Sequence, residues 1–242
     1  MTCYVNNAPV WAIVPAAGTG QRMQSEQPKQ YLSFQGKTII EHCLDRLLSH
    51  AAIDGVVVVV QDGDENWREL AYRSNKPVFT AAGGAERHHS VYNGLLSLRE
   101  QCGSDVLALV HDVVRPLVTH IDLDHIIKAA RENEAGAILA VPISDTLKSQ
   151  GDDMKITSTV SRDKLWRAFT PQIFQLPMLL QALKVVIDDD LIITDDASAI
   201  ENQGYSPVLV SGDLTNIKIT RPSDLSLAAL IWLNQRDQQN DE

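Results

Sequence analysis

Apolar and polar positions alternate along the chain in two rhythms. "VWAIVP" (10–15) is a short apolar run closed by proline and predicts a strand. In "KTIIEHCLDRLLSH" (37–50), Ile39, Ile40, Cys43, Leu44, Leu47 and Leu48 recur at helical spacing, so one face is apolar. "IDGVVVVVQ" (53–61) is apolar throughout, the mark of a strand covered on both faces in a parallel sheet. "PVFTAA" (77–82), "DVLALV" (105–110) and "GAILAVP" (136–142) read the same way, with helices near 87–100 and 121–135 between them. Strands alternating with helices predict an α/β fold with a mainly parallel sheet and right-handed crossovers.

The stretch from Ser144 to Thr170 breaks this rhythm. It is polar, carries a "QGDD" turn and alternates in "MKITSTV", which predicts a hairpin arm with little core of its own. A lone hairpin is marginal in water, so such an arm is expected to pack on something else, naturally a second subunit. Beyond it, 177–187 and 195–204 read as helices, "PVLV" and "NIKIT" as short strands, and Pro222 with Ser223 opens a last helix. One domain spanning 1–242 with an arm inserted at about 144–170 is the simplest organisation. Trp11 and Trp166 are expected to serve packing rather than chemistry.

Composition narrows the function. A formal net charge of −10 opposes a nucleic-acid or anionic-membrane surface, which needs a broad positive field. No apolar run approaches the roughly 20 residues of a spanning helix. The opening "MTCYVNNAPVW" has neither the basic nor the apolar region of a secretory leader. Cys3, Cys43 and Cys102 are odd in number and widely spaced, without a CxxC pair. A cytoplasmic protein without disulfides or a zinc site is expected. The adjacent His88 and His89 suit neither helical nor strand spacing for two metal ligands.

A small anion remains possible, because a few clustered cations hold a phosphate whatever the global charge. "VPAAGTGQRMQSEQPKQYL" (14–32) offers such a cluster. Gly18 and Gly20 follow the first strand, where ligands of open α/β sheets bind and where converging backbone N–H groups can cradle an anion. Met23 takes the third glycine place of the dinucleotide fingerprint, and no Walker lysine follows. A plain tight turn and a phosphate loop both stay open on the glycines alone. Arg22 and Lys29 favour the loop, one as a planar fork and the other as a point charge.

Six ordered blocks carry a resemblance that covers nearly the whole chain: "PAAGTGQRMQSEQPKQYL", "GGAERHHSVYNGL" (83–95), "LVHDVVRP" (109–116), "VPISDTLK" with "SRDKLWRAFTPQIF" (141–148 and 161–174), "ITDDASAIE" (193–201) and "NIKITRPSDL" (216–225). Together they resemble the 2-C-methyl-D-erythritol 4-phosphate cytidylyltransferases of the non-mevalonate isoprenoid route. The resemblance implies a Rossmann-like, three-layer nucleotidyltransferase fold. It also implies transfer of CMP from CTP to methylerythritol phosphate, with pyrophosphate released. The substrate phosphate is already anionic, so its attack on the α-phosphorus needs positioning and charge cancellation rather than a general base.

By the same likeness, Arg22, Lys29 and Lys218 are the catalytic cations. Pro15, Ala16, Ala17, Gly18, Gly84, Ala85 and the hydroxyl of Ser90 are the nucleotide contacts. Asp112 is implied as substrate contact and ligand of Mg²⁺ or another divalent cation. It stands at a strand end and would leave most of the coordination to triphosphate and water; bracing the following turn is its bland alternative. Arg115 would hold the substrate phosphate. Thr170 and Thr194 would meet substrate, Thr194 doubling as a helix N-cap. Thr146 and Arg162 on the arm would reach the neighbouring subunit's site in a homodimer. Ala85 and Val113 stand where the family commonly has Asp and Ala. A cytidylyltransferase for another polyol phosphate, such as ribitol 5-phosphate, shares the nucleotide half and is the nearest rival. A nicotinamide oxidoreductase and a non-catalytic nucleotide sensor are the others.

Overall fold

A computed structural model describes residues 7–18 and 27–240. Seven strands form one sheet: β1 (Val10–Pro15), β4 (Ile53–Val60), β5 (Val78–Ala82), β6 (Leu107–Val110), β7 (Ala137–Pro142), β10 (Trp166–Gln175) and β11 (Val208–Ser211). Their spatial order is β11-β7-β10-β6-β1-β4-β5. Only β10 runs antiparallel to its neighbours, β6 and β7. Short β2 (Ser33–Phe34) and β3 (Lys37–Thr38) pair with each other, as do β8 (Leu147–Gln150) and β9 (Ile156–Val160).

The period of two along each strand divides the core into two layers. From β1, Val10, Ala12 and Val14 face one side and Trp11 and Ile13 the other. From β4, Val56, Val58 and Val60 join the first set and Val57 and Val59 the second. The first face is covered by α1 (Ile39–Leu48), α4 (His120–Glu132) and α7 (Pro222–Asn240), the second by α3 (Arg87–Cys102), α5 (Leu176–Asp188) and α6 (Asp196–Asn202). All six apolar positions marked in 37–50 are buried along α1. This helix starts at Ile39, inside the segment read as helical, because Thr38 and Glu41 form a reciprocal capping box. A short α2 (Glu65–Leu70) follows β4.

Three expectations need correction. "NIKIT" is not a strand: Ile219 N–H donates to Val114 O beyond the end of β6, and Asn216 reaches β10 only through its side chain, Nδ2 donating to Thr170 O at 2.9 Å, so no backbone ladder forms. Trp166 is not core but 38% exposed, at the base of the arm. Asp195, not Thr194, caps α6, since its carboxylate accepts from Ser198 N–H and so satisfies an orphan donor of the first turn. The stretch 144–170 divides into the β8–β9 hairpin and the first half of β10. β9 is exposed at every position, as expected of an arm without its own core. Phe169, Ile173 and Phe174 are buried and draw β10 into the sheet.

The chain steps from β1 to β4 and β5 on one side, then returns through α3 to β6 on the other side of β1. Strand order therefore reverses between β1 and β6, and a crevice opens beyond their carboxyl ends.

Candidate active site

That crevice is a cavity of about 250 Å³. Its floor is backbone and small side chains: Pro15 at the end of β1 with Ala16 to Gly18 after it, and Gly84 and Ala85 after β5. Its charged groups are Lys29, Glu86, Arg87, Asp112 and Lys218. Ser90, Val113, Val114 and Gln30 complete the wall.

The floor is held from outside. Ala16 N–H donates to Val59 O at 2.7 Å, and the buried Gln30 side chain donates to Ala16 O at 2.7 Å. Lys29 opens a single 3-10 turn, Lys29–Tyr31, anchored by Tyr31 O–H on Asp64 Oδ2 at 2.8 Å. Opposite, the hydroxyl of Ser90 accepts Gly84 N–H at 3.0 Å and donates to Glu86 O at 3.2 Å. The two loops approach so closely that a Cβ on Gly83 would lie 2.4 Å from Ala17 Cβ. Glycine is needed there for proximity rather than for backbone angle.

Asp112 is the electrostatic centre. It is 8% exposed, and its N–H donates to Thr170 Oγ1 at 2.9 Å. Arg87 Nε reaches its Oδ1 at 3.0 Å, Lys218 Nζ its Oδ2 at 2.7 Å, and Arg115 Nε lies 3.8 Å from Oδ2. Burial alone would raise this carboxyl's pKa. Arg87, Lys218 and Arg115 together outweigh burial and hold it well below the usual carboxylate range. Arg87 Nη2 also meets Oδ2 of the fully buried Asp196 at 2.9 Å. Burial raises the pKa of Asp196 against the pull of Arg87.

Of the residues singled out from the sequence, Pro15, Ala16, Ala17, Gly18, Lys29, Gly84, Ala85, Ser90, Asp112 and Lys218 line one crevice. Arg22 and Gly20 lie outside the described residues. Arg115 stands behind the wall, with Nη1 donating to Asn216 O at 2.7 Å and its guanidinium 5.4 Å from the Phe169 ring centroid. Thr170 is buried beneath Asp112, its hydroxyl oxygen taken by that residue's N–H. Thr194 is exposed before α6. Thr146 and Arg162 are exposed at the two ends of the hairpin, Arg162 donating to Ser144 O. None of Arg115, Thr146, Arg162, Thr170 and Thr194 lines the crevice.

Sequence reading missed Arg87, Asp196 and Gln30. Arg87 was detectable: it is the first residue of α3, where the positive end of the helix dipole disfavours a cation unless carboxylates offset it. Gln30 carried no such sign.

Among the described residues no group of three or more His, Cys, Asp or Glu side chains could hold a metal. Among the described residues the crevice offers two carboxylates, Asp112 and the exposed Glu86, and Asp112 is the one at the strand end beside Lys218. The donor chemistry still fits Mg²⁺, which commonly takes one or two carboxylates and fills its shell with phosphate and water. A carboxylate has about four acceptor positions, and here two are hydrogen-bonded, to Arg87 and Lys218.

A mostly parallel sheet with a glycine-floored, cation-lined crevice at its switch point defines a nucleotide-handling α/β protein of the nucleotidyltransferase type. The family model described as "IspD: 2-C-methyl-D-erythritol 4-phosphate cytidylyltransferase" matches residues 10–234, and the chain belongs to that family. A Pseudomonas putida (strain GB-1) protein named 2-C-methyl-D-erythritol 4-phosphate cytidylyltransferase is 45% identical over 234 residues, covering 96% of this chain and 97% of its own. One of that name from Tolumonas auensis is 46% identical over 224 residues, 93% of this chain and 96% of its own. The crystal structure of the Francisella tularensis 2-C-methyl-D-erythritol 4-phosphate cytidylyltransferase superposes with a TM-score of 0.79 at 30% identity, covering 93% of this chain and 100% of that one.

Proposed function

We propose that this protein transfers CMP from CTP to 2-C-methyl-D-erythritol 4-phosphate, forming 4-(cytidine 5′-diphospho)-2-C-methyl-D-erythritol and pyrophosphate. One observation carries the reading: Lys29, Lys218 and Asp112 converge on a small-residue floor at the switch point of a chain in this family. A phosphate oxygen of the acceptor attacks the α-phosphorus in line, the bond to the β-phosphate oxygen breaks, and that electron pair leaves with pyrophosphate. Two anions must meet, so the work of the site is charge cancellation and alignment. Lys29 and Lys218 neutralise the crowded phosphoryl centre and the departing pyrophosphate, together with Arg22. Backbone groups of residues 15–18 and 84–85, with Ser90, receive the nucleotide. The tight floor suits a pyrimidine over a purine.

Asp112 would hold Mg²⁺, whose chemistry when bound is to neutralise triphosphate charge. Arg115, Thr170 and Thr194 are assigned to the acceptor side. The hairpin exposes Ile156 at 68% and Val160 at 37%, and the turn between its strands exposes Met154 at 75%, surface that a second copy would cover. We therefore place the protein as a homodimer in which Thr146 and Arg162 reach the partner's crevice. The free thiols of Cys43 and Cys102 suit the cytoplasm.

Pyrophosphate release tests the reading, with each nucleoside triphosphate and with methylerythritol phosphate or ribitol 5-phosphate as acceptor. Release is expected for CTP with methylerythritol phosphate. Equal release with ribitol 5-phosphate, or none with either, would contradict it.

A further inference from the structure

Arg87 is oddly placed for a cation. It occupies the first position of α3, whose dipole repels positive charge, yet it is bound at two points. Its Nε donates to Asp112 Oδ1 at 3.0 Å and its Nη2 to Asp196 Oδ2 at 2.9 Å. One rigid guanidinium plane thus spans two carboxylates from different parts of the fold, one in the loop after β6 and one at the start of α6. A fork of this kind transmits orientation, which a flexible ammonium cannot do.

The far anchor is itself built in. Asp196 is fully buried, and its other oxygen, Oδ1, has no hydrogen-bond partner. An ionised carboxylate left partly unsatisfied in the interior is costly, and structures retain one only where something over-determines it. What holds it is the start of α6. Gln172, from the middle of β10, donates to Asp195 Oδ2 at 2.7 Å and accepts Ala197 N–H at 2.9 Å. The residues on either side of Asp196 are therefore pinned to the central strand. That same strand carries Thr170, which accepts the N–H of Asp112.

We propose that Arg87, anchored by Asp196, is a positioning residue that acts through Asp112. It fixes the plane of that carboxylate, so that Oδ1 is turned inward to the guanidinium. Oδ2 then faces the crevice and Lys218. Burial of Asp196 keeps the strut rigid, because its charge has Arg87 as ion-pair partner and no water-facing alternative. The charge balance agrees: Arg87 and Asp196 cancel, leaving Asp112 to set the resting place of Lys218. This assignment rests on the cytidylyltransfer reading, and nothing in it requires Arg87 to touch substrate.

The test is a double-mutant cycle on pyrophosphate release by the full-length protein. Arg87→Lys keeps the charge and removes the fork. Asp196→Asn keeps the shape and removes the anchoring charge. Each is expected to lower kcat/KM on the order of 10–100-fold, as outer-shell partners of site carboxylates do. In an Asp112→Asn background neither should cost more than about twofold, because the residue through which they act is already gone. Losses that multiply in full in that background would overturn the proposal. So would Arg87→Lys with unchanged kcat/KM. Should Asp196→Asn fail to fold, Arg87→Lys at the crevice edge decides alone, with the urea midpoint confirming a folded state. Inactive wild-type protein would instead refute the reading of the reaction, so the two failures are distinguishable.

Discussion

Adding one methyl group to Gly83 should damage turnover far more than stability. Gly83 follows β5, and its N–H donates to Val60 O at 2.7 Å. A Cβ on this residue would lie 2.4 Å from Ala17 Cβ, 3.3 Å from Ser90 Oγ and 3.3 Å from Val60 O. Carbon atoms in contact need about 3.5–4.0 Å, so the two loops must part by roughly 1 Å. Neither loop base can easily move: Val60 holds Gly83, while Val59 and Gln30 hold Ala16. The displacement falls on Ala17 and Gly18, the floor of the crevice. Overpacking of this kind costs about 1–3 kcal/mol. A misplacement of about 1 Å in a positioning element can cost about 10²-fold in rate. Pyrophosphate release and urea unfolding on one preparation of Gly83→Ala would measure both. Gly55→Ala is the control, for its Cβ would lie 2.3 Å from the Trp11 ring, at the opposite end of β1. It should be destabilised at least as much, with kcat/KM within about twofold of the parent once folded. Full activity in Gly83→Ala would refute the argument, as would equal losses in the two variants.

Three further outcomes are expected. Lys218→Ala should lower kcat on the order of 10²–10³-fold, the scale of a lost transition-state donor, while the urea midpoint stays nearly fixed because Lys218 is 39% exposed; kcat within twofold of the parent would contradict its role. His111 is fully buried with its pKa pushed down to about 4 by burial, whereas an unfolded histidine titrates near about 6.5, so the unfolded chain takes up the proton first. Stability should therefore be full above about pH 6.5 and fall by up to about 3 kcal/mol as the pH drops towards 4; His111→Gln should flatten that slope in urea titrations, and an unchanged slope would reject the assignment. Mixing Lys29→Ala subunits with Arg162→Ala subunits should restore part of the activity that each lacks, as an exchanged arm requires, and no recovery would speak against it.

The strands and helices around the crevice were legible because a strand covered on both faces reads as an unbroken apolar run, as β1 and β4 do, while a helix with one buried face repeats near 3.6, as α1 does. Glycines after β1 and β5 and the aspartate after β6 pointed to the same strand ends. β10 was harder. Its first half is exposed and its second half buried, so no single pattern spans it, and its antiparallel insertion between β6 and β7 comes from long-range pairing. "NIKIT" failed in the opposite direction, with strand-like residues that find no ladder. Asp196 was invisible for a different reason. A carboxylate beside a helix start looks like a cap, and only the three-dimensional structure shows that Asp195 takes that task while Asp196 turns inward to Arg87.

A crystal structure with CTP and a divalent cation tests the central claim most directly. The triphosphate should lie along residues 16–18, with Lys29 and Lys218 on its oxygens and the cation on Asp112. A nucleotide bound elsewhere, with the crevice between β1 and β6 left vacant, would contradict the account.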